Sequence, residues 1–484
     1  MSTGNFRGNA VFLGCSAGAG VRRALRTMRR LLRTLPPLAL IAALSAAASP
    51  ARAAEGVSPA REFAPRQLLV KFDGQGTGQA LKLPAGAAVE RVARALRRNP
   101  GVVYAEPDYV ATASASEPQP FDPDDSGLLE TATESSTGAG NWAFKQWNFL
   151  SPRSSAASSL PISPGGIDAV GAWRNLIEAG RPGASGIVVA VLDSGIAYRS
   201  FGTRFRRSPD FVRSQFVPGY DFVGKDRIPL DESGHGTHVA GTIAEKTDNG
   251  VGVTGLAYNA KLMPVRVLNR RGEGFASNIA KGIRFAIAHK AQVINMSFNF
   301  ECGERVPLVN EALRAAYRHG IVTVASAGNL SADECVSAPA TGPRVIGVSG
   351  TTEGACLGNY DLAGSAIDLL APGGGEPQSR CSSVAARPIY QVTLRKGTTD
   401  EFAIPDDYTG TSMASAHVSG VAAMVLASGV VNPALPLEKR VDMVRKQLRH
   451  TARDLGFPST QQGAGLVDAA RATGTFPRFS PAVK

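Results

Sequence analysis

Short runs of β-branched and other apolar residues, each followed by a stretch with helical spacing, constrain this fold more than any other feature. Residues 186–192 (Gly-Ile-Val-Val-Ala-Val-Leu) are apolar without alternation, the pattern of a strand covered on both faces. Runs of the same kind lie at 261–268, 291–296, 321–325 and 345–349, and helical spacing falls at 235–245, 277–290, 306–319, 413–427 and 437–451. Strand and helix in alternation predict an α/β domain with a doubly wound, mostly parallel sheet over residues 141–474. In such a sheet chemistry belongs in the crevice beyond the carboxyl ends of the strands. The residues at those ends therefore carry the functional reading.

The flanks read differently. Arginines between Arg22 and Arg33, a short apolar run at 35–48 and the small-x-small site Ala51-Arg52-Ala53 mark residues 1–53 as a secretion signal. Met28 would start a signal of ordinary length. The apolar run is too short and alanine-rich to predict a membrane span, so export outside the cell or to a periplasm is expected. Residues 1–53 also hold eight arginines and no acidic residue, most of the formal net charge of +12. With that segment set aside, no lysine/arginine stripe with interleaved aromatics remains, which excludes nucleic acid as the main partner. The 43% hydrophobic and 19% charged fractions describe a chain that can bury a core.

Residues 54–110 form a small α+β unit: alternation at 67–72, helical spacing at 88–96, the turn Asn99-Pro100-Gly101, and a second strand-like run at 102–109. So small a unit buries too little to stand alone and needs a partner surface. Residues 111–140, rich in Ala, Ser, Thr, Asp, Glu, Pro and Gly without period, read as an exposed linker, and 475–484 as a tail. Of the cysteines, Cys15 falls in the signal, and Cys302, Cys335, Cys356 and Cys381 lack the C-x-x-C spacing of a zinc site. In an exported chain they predict two disulfides; three connectivities are open, and nearest-neighbour pairing, Cys302–Cys335 and Cys356–Cys381, is expected.

Four segments at strand or helix ends can do chemistry. Asp193, in Asp193-Ser194-Gly195, ends the first apolar run; His235 and His238, in Gly234-His235-Gly236-Thr237-His238, open a helix. Their spacing of three, with glycine and threonine between, is not that of a zinc protease, and His238 is expected to be a hydrogen-bonded structural residue. Asn329, in Ala325-Ser326-Ala327-Gly328-Asn329, offers a carboxamide donor of the kind that acyl transfer needs for an oxyanion. Ser412, in Gly410-Thr411-Ser412-Met413-Ala414, lies at the start of a helix, where a serine is either an ordinary N-cap or a nucleophile in the helix's positive end. The order Asp193, His235, Ser412 is one of three chain orders in which such a triad occurs.

The aspartate, histidine, asparagine and serine segments together resemble those of the subtilisin-type serine proteases, the subtilases. That resemblance implies a subtilisin-like fold and a serine endopeptidase working through an acyl-enzyme, with Asp193, His235 and Ser412 as triad and Asn329 in the oxyanion site. It implies that residues 54–110 are an inhibitory propeptide, that cleavage falls within 111–140, and that protein substrates bind as an added strand. Gly272, Glu273 and Gly274 would form one wall, and Ser297, Phe298, Asn299, Ser326, Ala327 and Gly328 the other. Asn299 stands where the family commonly has glycine, so this wall should be reshaped. The family's structural calcium would fall to Asp210, Asp248 and Asn249, hard loop oxygens that otherwise form a plain Asx turn. No cofactor is expected in catalysis, and a monomer is expected. A serine esterase would instead show G-x-S-x-G around its nucleophile, which Ser412 lacks; a domain reduced to binding would lack part of the four-residue set.

Overall fold

The computed structural model describes residues 63–113, 142–153, 160–247, 249, 252–329, 335–379, 381, 384 and 386–474. The expected signal, most of the linker and the tail lie outside the described residues.

The main domain is built on seven strands: β4 (Val188–Asp193), β5 (Tyr220–Asp221), β6 (Lys261–Arg266), β8 (Val293–Met296), β10 (Val322–Ser326), β11 (Ile346–Thr351) and β12 (Ile367–Pro372). Their order across the sheet is β12-β11-β10-β8-β4-β6-β5, with every neighbouring pair parallel. From β4 the chain runs to the edge strand β5 and back to β6 beside β4, then crosses to β8 and winds the other way through β10 and β11 to β12. The switch between the two directions falls beside β4, where a crevice opens.

Helices cover both faces. One side holds α2 (Ala169–Glu178), α3 (His235–Ala244), α6 (Thr411–Ser428) and α7 (Leu437–Thr451); the other holds α4 (Ala276–Ala288) and α5 (Pro307–Arg318). Along β4, Val189 and Val191 join the first core while Ala190 and Leu192 join the second. This is why the strand reads as apolar without alternation. Helix α2 and strand β12 carry no such signal. Asp168 caps α2 from a left-handed backbone, its carboxylate accepting from Gly171 N. β12 is an edge strand whose Asp368 is held by Arg445 and Arg449.

Upstream, β1 (Phe63–Phe72) pairs antiparallel with β2 (Gln79–Lys82) and with β3 (Val102–Ala113), backed by α1 (Val89–Leu96). β1 has two apolar faces: Leu68 and Val70 pack on Val92 and Leu96 within the unit, whereas Leu69 joins the main-domain core beside Tyr109. The partner surface is α4 and α5. Asp108 accepts from Ser277 N at 3.0 Å, near the start of α4, and Lys71 pairs with Glu311 of α5 at 2.9 Å. β3 runs three residues past the expected boundary at 110, because its end pairs with β7 (Glu273–Phe275) and β9 (Phe298–Phe300) of the main domain.

At this interface burial pushes the Glu106 carboxyl up to about 9, with Glu304 and Asp108 adding to the effect and Arg97 and Arg305 opposing it. A group raised in the bound state favours binding below its free value, 4.5, and loses that contribution as pH rises towards about 9. A peptide spanning residues 63–113 should therefore bind the 142–474 domain more weakly at pH 8.5 than at pH 5.5, and Glu106→Gln should flatten the trend. Fluorescence anisotropy at several pH values checks this; equal slopes for both peptides would reject it.

Candidate active site

β4 ends on Asp193, fully buried, whose Oδ1 accepts from Ser194 N at 2.7 Å and lies 2.8 Å from His235 Nδ1. His235 is the first residue of α3. The turn before this helix is tied to it by Asp231, a residue that the sequence reading missed. Asp231 accepts from Ser194 Oγ (2.9 Å), Thr237 N (3.0 Å) and Thr237 Oγ1 (2.6 Å). An aspartate just before a small-residue helix start was the available signal, and it is weak because turns use aspartate freely.

Burial alone would lower the His235 pKa, but the charge and hydrogen bond of Asp193, helped by Asp231, raise it above 6.5. The protonated ring is thus favoured by the folded state below the ordinary histidine value, and that gain is lost as pH passes the raised one. His235 Nε2 is buried and has no hydrogen-bond partner among the described residues. His238 is different: Nε2 lies 2.9 Å from Ile389 O, its ring stacks on Tyr408 at 4.1 Å, and burial pulls its pKa down to about 3.

Ser412 is fully buried in the first turn of α6, one residue inside the helix start at Thr411, so Gly410 and not Ser412 holds the N-cap position. Its Oγ donates to Ser297 O at 3.2 Å, while Ser297 Oγ donates to Ser412 O at 2.9 Å. Asn329 follows the end of β10, and its Oδ1 accepts from Thr411 N (3.1 Å) and Thr411 Oγ1 (3.0 Å). Anchoring the carboxamide oxygen on the helix start orients the amide's donor end away from it.

The two expected walls are brought together by a strand. β3 pairs with both: Ala111 opposite Gly274 and Thr112 opposite Glu273 on one side, Thr112 opposite Asn299 and Ala113 opposite Phe298 on the other. Gly272 turns with φ of 77°, and Gly274 must be glycine because a Cβ there would lie 2.5 Å from Val267 O. Phe298 contributes backbone to this groove; its side chain is buried in the core. Asn299 Nδ2 donates to Ser326 O at 2.7 Å and its Oδ1 accepts from Ser326 Oγ at 3.0 Å. Ala327 N is held by Val348 O at 2.8 Å, and Gly328 takes a left-handed backbone at φ 109°.

Away from the cleft, Asn249 Nδ2 donates to Asp210 Oδ1 at 2.7 Å and Val253 N to Oδ2 at 2.9 Å, while Asp248 lies outside the described residues. Burial pushes Asp210 up to about 7 and, with the charge of Asp210, drives the neighbouring Glu245 well above the usual carboxylate range. Glu245 Oε1 and Gln391 Oε1, both buried, make no hydrogen bond among the described residues. No group of three or more His, Cys, Asp or Glu suited to a metal occurs among the described residues. Disulfides join Cys302 to Cys335 and Cys356 to Cys381, with Cα atoms 5.7 and 5.9 Å apart.

Residues 184–466 match the subtilase family. An extracellular protease of Xanthomonas campestris pathovar campestris is 33% identical over 470 residues, covering 90% of this chain and 69% of that protein. Thermitase of Thermoactinomyces vulgaris is 30% identical over 315 residues, covering 65% of this chain and 96% of its own. Among solved structures, a protease from Pseudoalteromonas arctica superposes with a TM-score of 0.52 at 31% identity, over 64% of this chain and 94% of its own. Fervidolysin of Fervidobacterium pennivorans shares the fold with a TM-score of 0.63 at 24% identity, over 87% of this chain and 63% of its own. A doubly wound sheet of this kind, matched to these proteases, defines a serine endopeptidase. The chain belongs to the subtilase family.

In a Ser412→Ala protein, the His235 ring should titrate with a midpoint above 6.5, and adding Asp193→Asn should lower it. Proton NMR of the imidazole checks this; a midpoint unmoved by Asp193→Asn would overturn the pairing.

Proposed function

We propose that the chain is an exported endopeptidase, made as a zymogen that processes itself, with Asp193, His235 and Ser412 as its triad. The observation that carries this reading is β3 lying extended between β7 and β9, its end at Ala113 one residue short of the position level with Ser297, which is bonded to Ser412. A peptide substrate would add as a strand in the same slot. Its carbonyl would then be attacked by Ser412 Oγ as His235 Nε2 takes the proton. Asp193 holds the proton on His235 Nδ1 and stabilises the imidazolium. Asn329 Nδ2 and the Ser412 backbone N–H face the developing oxyanion. His235 then protonates the leaving amine, and water releases the acyl group by the same route in reverse.

The division into a signal (1–53), an inhibitory propeptide (54–110), a processing linker (111–140), a catalytic domain (141–474) and a tail (475–484) belongs to this reading. The names of two relatives, an extracellular protease of Xanthomonas campestris and the minor extracellular protease Epr of Bacillus subtilis, support export. One described helix, Thr411–Ser428, is long and apolar enough to cross a bilayer, but it is 83% buried inside the fold.

Expression of the parent and of Ser412→Ala tests the reading. The parent should digest casein and show a mature N-terminus close to Ala115, whereas Ser412→Ala should stay unprocessed and inactive. Asn329→Ala should lose about 10²–10³ in turnover. Casein digestion by Ser412→Ala equal to that of the parent would overturn the assignment.

A structural calcium ion is part of the same proposal. Asp210 with Asn249 and Asp248 would hold it, and a cation there would relieve the carboxyls of Asp210 and Glu245, which burial raises and, for Glu245, the charge of Asp210 raises further. The ion would brace this loop and take no part in bond making. Chelation should lower the thermal midpoint of the processed domain, and Asp210→Asn should abolish that sensitivity; a chelator without effect on the parent would reject the site.

A further inference from the structure

We infer that Asn299 closes the side pocket beside Ser412, so that the enzyme cleaves after small residues. This rests on the reading of Ser412 as the nucleophile.

The geometry follows from register. Directly opposed residues of an antiparallel pair put their side chains on the same face, and faces alternate along the strand. The strand in the groove runs antiparallel to β9, with its residue 112 opposite Asn299 and its residue 113 opposite Phe298. A substrate following that register has one residue level with Asn299 and, two further on, one level with Ser297. The proposed nucleophile Ser412 Oγ donates to Ser297 O at 3.2 Å, so the residue level with Ser297 is the one acylated. Its side chain falls on the face from which Asn299 projects.

On that face Asn299 spans from the 297–299 segment to the end of β10. Its carboxamide donates to Ser326 O and accepts from Ser326 Oγ, and its Cγ comes within 3.7 Å of where a Cβ at Gly328 would stand. Asn299 is 7% exposed and Ser326 fully buried. Two reciprocal hydrogen bonds in so dry a setting hold the side chain across the pocket, since swinging it aside leaves buried polar groups unpaired. A glycine at 299 would leave this space open.

The test uses the processed enzyme and tetrapeptide anilides that differ only in the residue before the scissile bond: Ala, Leu or Phe. The parent should favour Ala over Phe in kcat/KM by at least about tenfold, and Asn299→Gly should shift that ratio towards Phe by at least about tenfold. Ser326→Ala, which removes one of the two bonds, should shift it the same way by less, and it serves as the probe where Asn299→Gly does not fold. A parent that prefers Phe or Leu, or a ratio unmoved in the folded variant, overturns the inference alone. Failure of the parent to cleave any of the peptides or casein overturns the nucleophile assignment as well.

Discussion

Burial of helix α6 on every side is the constraint from which the rest of the molecule takes its shape. From Thr411 to Val425 no residue of it reaches solvent, so each polar side chain it carries must find a partner inside the protein. Ser415 bonds Ser297, Ser419 donates to Asn295 Oδ1 at 2.7 Å, and His417 lies 2.8 Å from both Met413 O and Asn148 Nδ2. Gly420 lets Leu256 approach: a Cβ there would come within 2.9 Å of that side chain. A rotation of the helix would strand several of these groups at about 1–3 kcal/mol apiece. The first turn, with Ser412 and the helix start that anchors Asn329, is therefore set by contacts along the whole length of the helix.

Electrostatics then choose among histidines that burial treats alike. His235, His238 and His417 are all buried. His238 and His417 fall to about 3 and about 4, chiefly through loss of solvent, whereas His235 is raised. The difference is the carboxylate of Asp193, aided by Asp231, which in turn is held by Thr237 and Ser194. The fold thus favours the protonated form of one imidazole, and the other two are fixed as neutral hydrogen-bonding groups.

Much of this was legible in the residues themselves. Strands covered on both faces cannot alternate, so β4, β6, β8, β10 and β11 stand out as apolar runs, with Asp193 closing β4 and Asn329 three residues beyond β10. What stayed hidden depends on partners distant in sequence. β7 and β9 have three residues each, too few for any period, and they become strands because β3 lies between them. For the same reason Ala111–Ala113, of linker-like composition, continues a strand. Asn299 itself was visible in the sequence, but its bond to Ser326 required the 297–299 segment and the end of β10 to be placed side by side. Asp231 was illegible because an aspartate in a turn has many uses.

The slot between β7 and β9 has a wider consequence. Two strand edges there hold β3 between them by backbone pairing, and a substrate taking its place would likewise have to fit by its backbone before its side chains mattered. A segment already committed to a helix or to an inner strand has no free backbone to offer. Which bonds in a folded protein are cut is then decided first by where that protein can locally unfold over several residues, and only second by sequence. Such an enzyme reads flexibility before it reads composition, and its own well-packed domain is protected from it on the same terms.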